Sequence, residues 1–448
     1  MIIKKGQKLE YETDGDVITV CEVCGGILPV PILDLGYQPL CDDLVPLGDS
    51  KESMKYPIQI SLCPICLTAH QLYRVHKEIL FPNSYHYRPR FTQDVMMGMN
   101  DLVCECENCF LPLSGKLVCD IGCNDGTLLS FFRQRGSGTV GMEPTDACVD
   151  AVASGHRAFK EYFSTESAAK LISAVGKPDV ITFTNVFAHI ESLAEAIAAL
   201  QTMINTHTLL VIENHYLGSI IHTNQFDTFY HEHPRTYSLR SFEIIARKLG
   251  GEVLHVSFPG RYGGNIRVYI GNFSGSNSFQ RQPFDEQVSS NETRFPEKLL
   301  QMQTFVNEWK QKTTEQLMDL KKGSVSLPGK SFPGRASILI NLLGIDHELQ
   351  PYVFEKPESM KVGHYVPGTR IRIVSDDHWI NGTTKPDNLL IWAWHICGEV
   401  ASYLRSNGYR GKMFSPLPVF HEIDQTERNG NIHSYRDQPS DVTNPGGF

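Results

Sequence analysis

Apolar and polar residues recur with two different periods along this chain, and the period predicts which element each stretch forms. Between 116 and 272, short apolar runs rich in β-branched residues alternate with longer stretches of helical spacing. Strands are predicted at 117–121, 139–142, 179–183, 208–213, 252–257 and 265–271, with helices at 126–134, 193–204 and 241–249. This alternation predicts an α/β fold whose central, doubly wound, mostly parallel sheet is covered by helices on both faces.

The pattern changes on either side of this stretch. The predicted units are, in chain order, a β-rich module at 1–75, the sheet domain at 76–275 with a helical lead-in at 76–115, a linker and long amphipathic helix at 276–325, a second α/β domain at 326–425, and a polar tail at 426–448. In the second α/β domain, strands are predicted at 338–342, 352–354, 371–374, 388–392 and 412–414. Apolar positions at helical spacing run from Glu297 to Lys322, and Gly323 is a natural helix stop.

Charge and cysteine content narrow the class of protein. A formal net charge of -9 argues against nucleic acid as the main ligand. No apolar run approaches the roughly 18 residues that cross a bilayer, and the N-terminus lacks a secretory h-region, so we expect a cytoplasmic protein with no membrane partner. In a reducing compartment, 12 cysteines favour a thiolate–metal site over disulfides. The chain has no coiled-coil heptads, which favours a monomer.

Cysteines occur in two Cys-x-x-Cys pairs near the N-terminus. The pairs are Cys21 with Cys24 and Cys63 with Cys66. One pair alone is also compatible with a redox site, but two pairs that each follow a strand candidate predict a zinc ribbon. Four thiolates saturate the metal, so the predicted zinc is structural. Cys41 is an alternative ligand, and Cys104–Cys109 is either a further metal site or, as we favour, a set of ordinary thiols.

A glycine turn follows the first predicted strand of the sheet domain. Val118–Gly126 reads Val-Cys-Asp-Ile-Gly-Cys-Asn-Asp-Gly, a strand entering a turn that starts a helix, where such sheets bind nucleotide-like cofactors. The turn lacks the third glycine of a dinucleotide fingerprint and fits an S-adenosylmethionine site better. Glu143 ends the next strand, where a carboxylate can accept hydrogen bonds from ribose hydroxyls. The predicted cofactor contacts are Asp120, Gly122, Asn124, Gly126, Glu143, Phe163 beside the adenine, and Asn185.

The densest cluster of reactive side chains is Phe229–His233, which reads Phe-Tyr-His-Glu-His. It follows the strand that ends near Glu213, which predicts a position at the carboxyl edge of the sheet. A histidine beside a carboxylate suits a general base near neutral pH. The His-Glu-x-x-His spacing of metalloproteases is absent. The alternative interpretation is a surface loop with ordinary histidines.

The ordered set of motifs resembles sugar C-methyltransferases, which use S-adenosylmethionine to methylate a ketosugar carried on a nucleoside diphosphate. The shared motifs, over residues 20–420, are the cysteine module, the Asp-Ile-Gly-x-Asn-Asp-Gly turn, Tyr230-x-Glu232-His233, Gly263–Tyr269 and Tyr365–Thr369. The resemblance implies that the zinc module and the C-terminal domain clamp the nucleotide-sugar over the central sheet. It further implies that His233 is the base, supported by Glu232 with Tyr230 nearby, that His189 faces the sugar, and that Tyr85 or Tyr87 reaches the substrate.

Two stretches depart from the family pattern. Phe332–Ser337 replaces an Ala-Lys-Gly-Asn-like stretch, and Arg88–Thr92 replaces a serine-rich loop. Both lie on the expected substrate side, so the ketosugar, its nucleotide and the methylated carbon stay open. The alternative functions are an O- or N-methyltransferase in which Glu232 and His233 deprotonate another group, a nicotinamide-dependent dehydrogenase, and an inactive scaffold.

Overall fold

The computed structural model describes residues 14–80, 90, 93–285, 287–323, 325–380 and 385–423. The strands are β1 (Gly15–Val17), β2 (Leu33–Pro39), β3 (Val45–Pro46), β4 (Lys55–Leu62), β5 (Ala69–Gln71), β6 (Tyr73–Val75), β7 (Leu117–Ile121), β8 (Gly138–Met142), β9 (Arg157–Phe159), β10 (Val180–Thr184), β11 (Leu209–His215), β12 (Arg235–Thr236), β13 (Glu252–Ser257), β14 (Asn265–Gly271), β15 (Gly329–Lys330), β16 (Tyr352–Glu355), β17 (His364–Tyr365), β18 (Arg372–Ser375), β19 (Asn388–Ile391), β20 (Lys412–Ser415) and β21 (His421–Glu422). The helices are α1 (Lys77–Leu80), α2 (Gln93–Cys109), α3 (Thr127–Gln134), α4 (Ala147–Ala153), α5 (Thr165–Val175), α6 (Leu193–Met203), α7 (Leu217–His222), α8 (Leu239–Lys248), α9 (Gln287–Glu292), α10 (Phe295–Lys322), α11 (Ala336–Leu343), α12 (Asp377–Ile380) and α13 (Cys397–Ser406).

The central sheet has seven strands in the order β13-β14-β11-β10-β7-β8-β9. The strands from β11 to β9 in this order pair in parallel, and β14 lies antiparallel between β11 and β13. Chain order reverses direction at β7, beside β10, which opens a cleft at the carboxyl ends of these strands. The predicted doubly wound α/β fold is confirmed.

Apolar residues fill both faces of the inner strands. On β10, Val180 faces the layer that contains α2 and α3, whereas Ile181 belongs to the core on the other face. Alternate residues of a strand point to opposite faces, so a strand covered on both sides has no polar position along its length. This explains the unbroken apolar runs of the sequence. The buried polar exceptions on these strands include Asp120 on β7, Thr182 on β10 and Glu213 on β11.

The sheet domain contributes an edge strand to the sheet of the N-terminal module. The module's four-stranded sheet has the order β12-β5-β4-β2, and its edge strand β12 comes from just beyond the Tyr230–His233 segment. Thr236 pairs with Ala69, and Arg235 with His70. The loop with the candidate base is therefore anchored in the module's sheet.

The C-terminal sheet has eight strands in the order β21-β20-β19-β15-β16-β18-β17-β3. The prediction of a strand at 338–342 is wrong, because this segment lies in α11. Its residues are nearly all apolar and buried on every side, and such a short run carries no periodic signal that separates strand from helix. The strand that precedes α11 is the two-residue β15, which is too short to recognise in the sequence.

The long helix α10 connects the units and agrees with the prediction for 297–322. One face buries Leu299, Met302 and Trp309, and the helix packs on α7, α11 and β2. The Trp309 indole N–H donates to the carbonyl of Pro416 at 2.7 Å. In the part of the chain that the structure describes, no helix combines the length and apolarity that a membrane span needs.

Candidate active site and zinc site

The four predicted zinc ligands converge. All four Sγ atoms lie within 4.8 Å of one another, with Cys21 to Cys66 at 3.3 Å and Cys24 to Cys63 at 3.4 Å. The edge of a tetrahedral zinc–thiolate site is about 3.8 Å, given Zn–S bonds of about 2.3 Å. Both pairs form the same turn, in which Gly25 and Leu67 adopt positive φ four residues after the first cysteine. The donor set and its spacing fit a structural zinc ion.

Polar side chains support these sulfurs from outside the cluster. His70 Nε2 lies 3.2 Å from the Cys21 sulfur, and Thr68 Oγ1 lies 3.0 Å from the Cys66 sulfur. Such outer donors orient thiolates and stabilise their charge. Cys41 instead lies beside Ser337, outside the cluster. Cys104, Cys106 and Cys109 lie on α2 and belong to no group of ligands with this geometry among the described residues.

The zinc module also holds the loop of the candidate base. Gln71, on the strand after the second cysteine pair, donates from Nε2 to the carbonyls of Tyr230 at 2.5 Å and His233 at 3.1 Å. His231 Nε2 lies 3.1 Å from the carbonyl of Tyr56. The backbone of this loop is thus fixed from the module.

The glycine turn brings the backbone to the carboxyl edge of β7. Gly122 and Gly126 have φ of 71° and 77°, and a Cβ on Gly122 would collide with Val186. Asp120 is buried and accepts a hydrogen bond from the Thr182 hydroxyl at 2.6 Å. Burial raises the pKa of Asp120 to about 7, against the lowering effect of that hydroxyl. Glycine is required at both positions, because φ is positive and neighbouring side chains leave no space for a Cβ.

Glu143 lies directly beyond β8 and joins two loops of the cofactor cleft. Its Oε2 accepts from the Asn124 backbone N–H at 3.1 Å, and its Oε1 accepts from the Thr145 N–H at 2.9 Å and hydroxyl at 2.6 Å. A carboxylate has about four acceptor positions. Glu143 therefore retains capacity for one further hydrogen bond.

Phe163 and Asn185, two further predicted cofactor contacts, both lie beside β10. Phe163 packs edge-on against Phe183 of β10, with ring centroids 5.5 Å apart. Asn185 follows β10 with φ of 55°, and its side-chain oxygen accepts from Asn265 at 3.2 Å. Asn265 also donates to the buried Glu213 at 2.8 Å.

The buried Glu213 accounts for two positions of the Gly263–Tyr269 motif, Asn265 and Arg267. Arg261 and Arg267 contact its two carboxylate oxygens at 2.6 and 2.8 Å. The charges of Arg267 and Arg261 outweigh burial and lower the pKa of Glu213 to about 2. This ion-pair network fixes the end of β11 behind the cleft.

His233 is held in one orientation by two partners. Its Nδ1 lies 3.2 Å from the carbonyl of Thr228, so Nδ1 carries the proton and donates it. Its Nε2 lies 3.0 Å from the Tyr230 hydroxyl and accepts from it. Burial, with help from His189 and His215, lowers the pKa of His233 well below its ordinary value. The ring is neutral at pH 7, and Nε2 carries the lone pair that a base needs.

Two further histidines surround this ring. His189 lies 4.6 Å from it between centroids, and its Nδ1 is 2.8 Å from the carbonyl of Glu232. His215, the last residue of β11, lies 5.2 Å away and was missed by the sequence analysis. Burial lowers the pKa of His189 to about 4 and that of His215 to about 3. The signal for His215 was its position at a strand's carboxyl end.

Glu232 faces away from the His233 ring nitrogens, whose partners are Thr228 and Tyr230. Burial and the nearby Asp42 raise the pKa of Glu232 well above its ordinary range, while Lys361 opposes them. Asp42 belongs to the N-terminal module and Lys361 to the C-terminal domain, so this carboxyl group lies where three units meet. Tyr85 and Tyr87 lie outside the described residues.

A doubly wound sheet with a glycine turn, a carboxylate after the second strand and a four-thiolate module defines an S-adenosylmethionine-dependent methyltransferase that also binds zinc. Three family models match consecutive segments: a zinc binding domain at 21–81, a methyltransferase domain at 105–256, and a C-methyltransferase C-terminal domain at 261–418. The chain belongs to the C-methyltransferases with an N-terminal zinc-binding domain.

The sequence identity to individual proteins is low. The chain is 24% identical over 419 residues to the C-methyltransferase NovU of Streptomyces niveus, which covers 90% of this chain and 96% of that protein. The magnesium protoporphyrin IX methyltransferase ChlM of Synechocystis PCC 6803, solved with S-adenosylhomocysteine, is 16% identical, with a TM-score of 0.32 over 40% of this chain and 83% of its own. A methyltransferase from Anabaena variabilis ATCC 29413 is 16% identical, with a TM-score of 0.33 over 40% of this chain and 86% of its own.

Proposed function

We propose that this enzyme methylates the carbon next to a ketone in a ketosugar linked to a nucleoside diphosphate, through an enolate that His233 generates. The observation that carries the proposal is the neutral His233, whose Nε2 is paired only with a hydroxyl group among its described partners. A hydrogen next to a carbonyl is acidic enough for such a base when the enolate oxygen is stabilised. S-adenosylmethionine, when bound, supplies the electrophilic methyl group.

Tyr230 has two roles in this proposal. Its hydroxyl group donates to His233 Nε2, the atom that must accept the substrate proton. When the substrate carbon takes that position, the hydroxyl is released and can donate to the ketone oxygen. The hydrogen bond becomes stronger as negative charge develops on that oxygen, which lowers the barrier to proton removal.

The cofactor is proposed to lie along the carboxyl ends of β7, β8 and β10. Gly122 and Gly126 let the backbone approach its methionine part, and Glu143 accepts from the ribose. Phe163 flanks the adenine, and Asn185 lines the cofactor cleft. Holding both reactants at contact distance is the main task of the sheet in a reaction of two bound molecules.

Carbon is favoured over oxygen or nitrogen as the methylated atom because residues 261–418 match a C-methyltransferase C-terminal domain. The nucleotide-linked ketosugar is supported by the resemblance of the ordered motifs. The three units that meet at Glu232 leave a site bordered by charged groups of both signs, Asp42 and Lys361, which suits a polar substrate.

A calorimetric titration tests the proposed ligands. S-adenosylhomocysteine is titrated first, followed by the diphosphates of thymidine, guanosine, cytidine and uridine. We expect binding of S-adenosylhomocysteine and of one nucleotide, each with a rise in melting temperature, because a ligand of the folded state stabilises it. Binding of the former with none of the nucleotides would remove the nucleotide-sugar from the proposal, and binding of neither would overturn it.

A further inference from the structure

A buried guanidinium group of the C-terminal domain reaches the loop beside the candidate base. Arg335 precedes α11, and its side chain is 9% exposed. Its Nη1 donates to the Thr228 hydroxyl at 3.0 Å, and its Nε lies 3.2 Å from Asp227 Oδ2. The third nitrogen, Nη2, lies 3.0 Å from His395 Nδ1. All three nitrogens of the guanidinium group are thus in use.

Thr228 connects this contact to the base. Its hydroxyl accepts from Arg335, and its carbonyl accepts the Nδ1 proton of His233 at 3.2 Å. The neighbouring Asp227 accepts a second hydrogen bond from the C-terminal domain, from the indole N–H of Trp394 at 2.9 Å. The carbonyl that selects the His233 tautomer therefore belongs to a turn that the C-terminal domain holds.

We propose that Arg335 is a positioning residue, and that docking of the C-terminal domain through it holds His233 with the proton on Nδ1 and the lone pair on Nε2. The proposal rests on the proposed role of His233 as base. It also makes the base competent only when the domain that covers the site is in place.

The geometry of arginine suits this role. A guanidinium group presents its donors in a rigid planar fork, so two contacts on one turn fix orientation as well as distance. Asp227 is buried, and a buried carboxylate without its cationic partner is strongly disfavoured. Loss of Arg335 should therefore let the turn move, free the Thr228 carbonyl and allow the other tautomer of His233.

The sequence offered no sign of this role. Arg335 lies in Phe332–Ser337, where the chain departs from the family pattern, and 107 positions separate it from Thr228. The contact exists only because two domains meet.

Nitrogen-15 NMR of the full-length protein, labelled at histidine and saturated with S-adenosylhomocysteine, reads the tautomer directly. Long-range proton–nitrogen correlations separate the two tautomers, and His233→Gln assigns the signals. We expect wild type to show the Nδ1–H form, and Arg335→Gln and Thr228→Val to show a mixture or the Nε2–H form. Arg335→Lys, which keeps the charge and loses the fork, should also give a mixture. Arg294→Gln, at an exposed arginine of the same chain, is the control and should leave His233 unchanged.

The proposal is overturned if Arg335→Gln binds S-adenosylhomocysteine normally and still shows only the Nδ1–H form. If Arg335→Gln does not fold, Thr228→Val decides in the same way. The readout does not depend on turnover, so it is separate from the proposed function. With the substrate in hand, Arg335→Gln should lower kcat on the order of 10²-fold with little change in KM, the size of effect that a misplaced catalytic group produces.

Discussion

Replacing His233 by alanine is expected to lower turnover by about 10²–10⁴-fold, the range that a positioned general base contributes. Binding of S-adenosylhomocysteine should persist, because the predicted cofactor contacts lie on other elements, at the carboxyl ends of β7, β8, β9 and β10. Steady-state methyl transfer from labelled S-adenosylmethionine is measured for the wild type and His233→Ala, and calorimetry is carried out on the same preparations. His347→Ala, at an exposed histidine, is the matched control. Unchanged turnover in His233→Ala would contradict the assignment of the base.

The pH profile gives the same prediction a second readout. Burial lowers the pKa of His233 well below 6.5, and the base works only in its neutral form. Activity should therefore not begin to fall as the pH drops through 6.5, and the loss attributable to His233 should come only at lower pH. An acid limb of kcat/KM centred above 6.5 that disappears in a His233 variant would contradict the buried, neutral ring.

Loss of zinc is expected to have the second large effect, on both stability and activity. In small four-ligand sites, metal binding contributes about 10 kcal/mol or more to folding. Cys66→Ser, or chelation of the wild type, should lower the melting temperature by roughly 10 °C or more, since a domain of 150–250 residues loses about 2–4 °C per kcal/mol. Turnover should fall as well, because Gln71 of the same module holds the carbonyls of Tyr230 and His233.

The matched control for zinc loss is Cys109→Ser. Cys109 is a partly buried cysteine on α2 outside the metal cluster, so its replacement should change neither zinc content nor turnover. Zinc content measured by mass spectrometry should be one ion per chain in wild type and control. A Cys66→Ser protein with normal melting and normal turnover would contradict both the structural role of the metal and its link to the loop.

The sheet could be predicted because its signals are local. Parallel strands buried on both faces appear as unbroken apolar runs, and the glycine turn after β7 combines a fixed spacing with positive φ at Gly122 and Gly126. The same reasoning failed at α11, where every side is buried and the helical period vanishes. Burial on all sides thus made the strands recognisable as apolar runs, and it led to the wrong prediction of a strand in place of α11.

The site could be predicted only in part. The cysteine pairs and the Tyr230–His233 segment are recognisable because each is short and contiguous. His215 and Arg335 belong to other elements of the chain. The fold brings His215 beside His233, and docking of the C-terminal domain brings Arg335 to Thr228. The carboxyl group of Glu232 could not be placed from sequence either, because its neighbours Asp42 and Lys361 belong to two other units.

Exchange of a substrate hydrogen with solvent tests the central claim most directly. The enzyme is incubated in deuterated water with S-adenosylhomocysteine and ketosugars linked to the nucleotide that calorimetry selects, and the sugar is analysed by mass spectrometry. Carbon methylation through an enolate predicts incorporation of deuterium next to the ketone without methyl transfer, and its loss in His233→Ala. A sugar that is methylated when S-adenosylmethionine is added, yet never exchanges that hydrogen, would contradict the enolate and with it the role of His233.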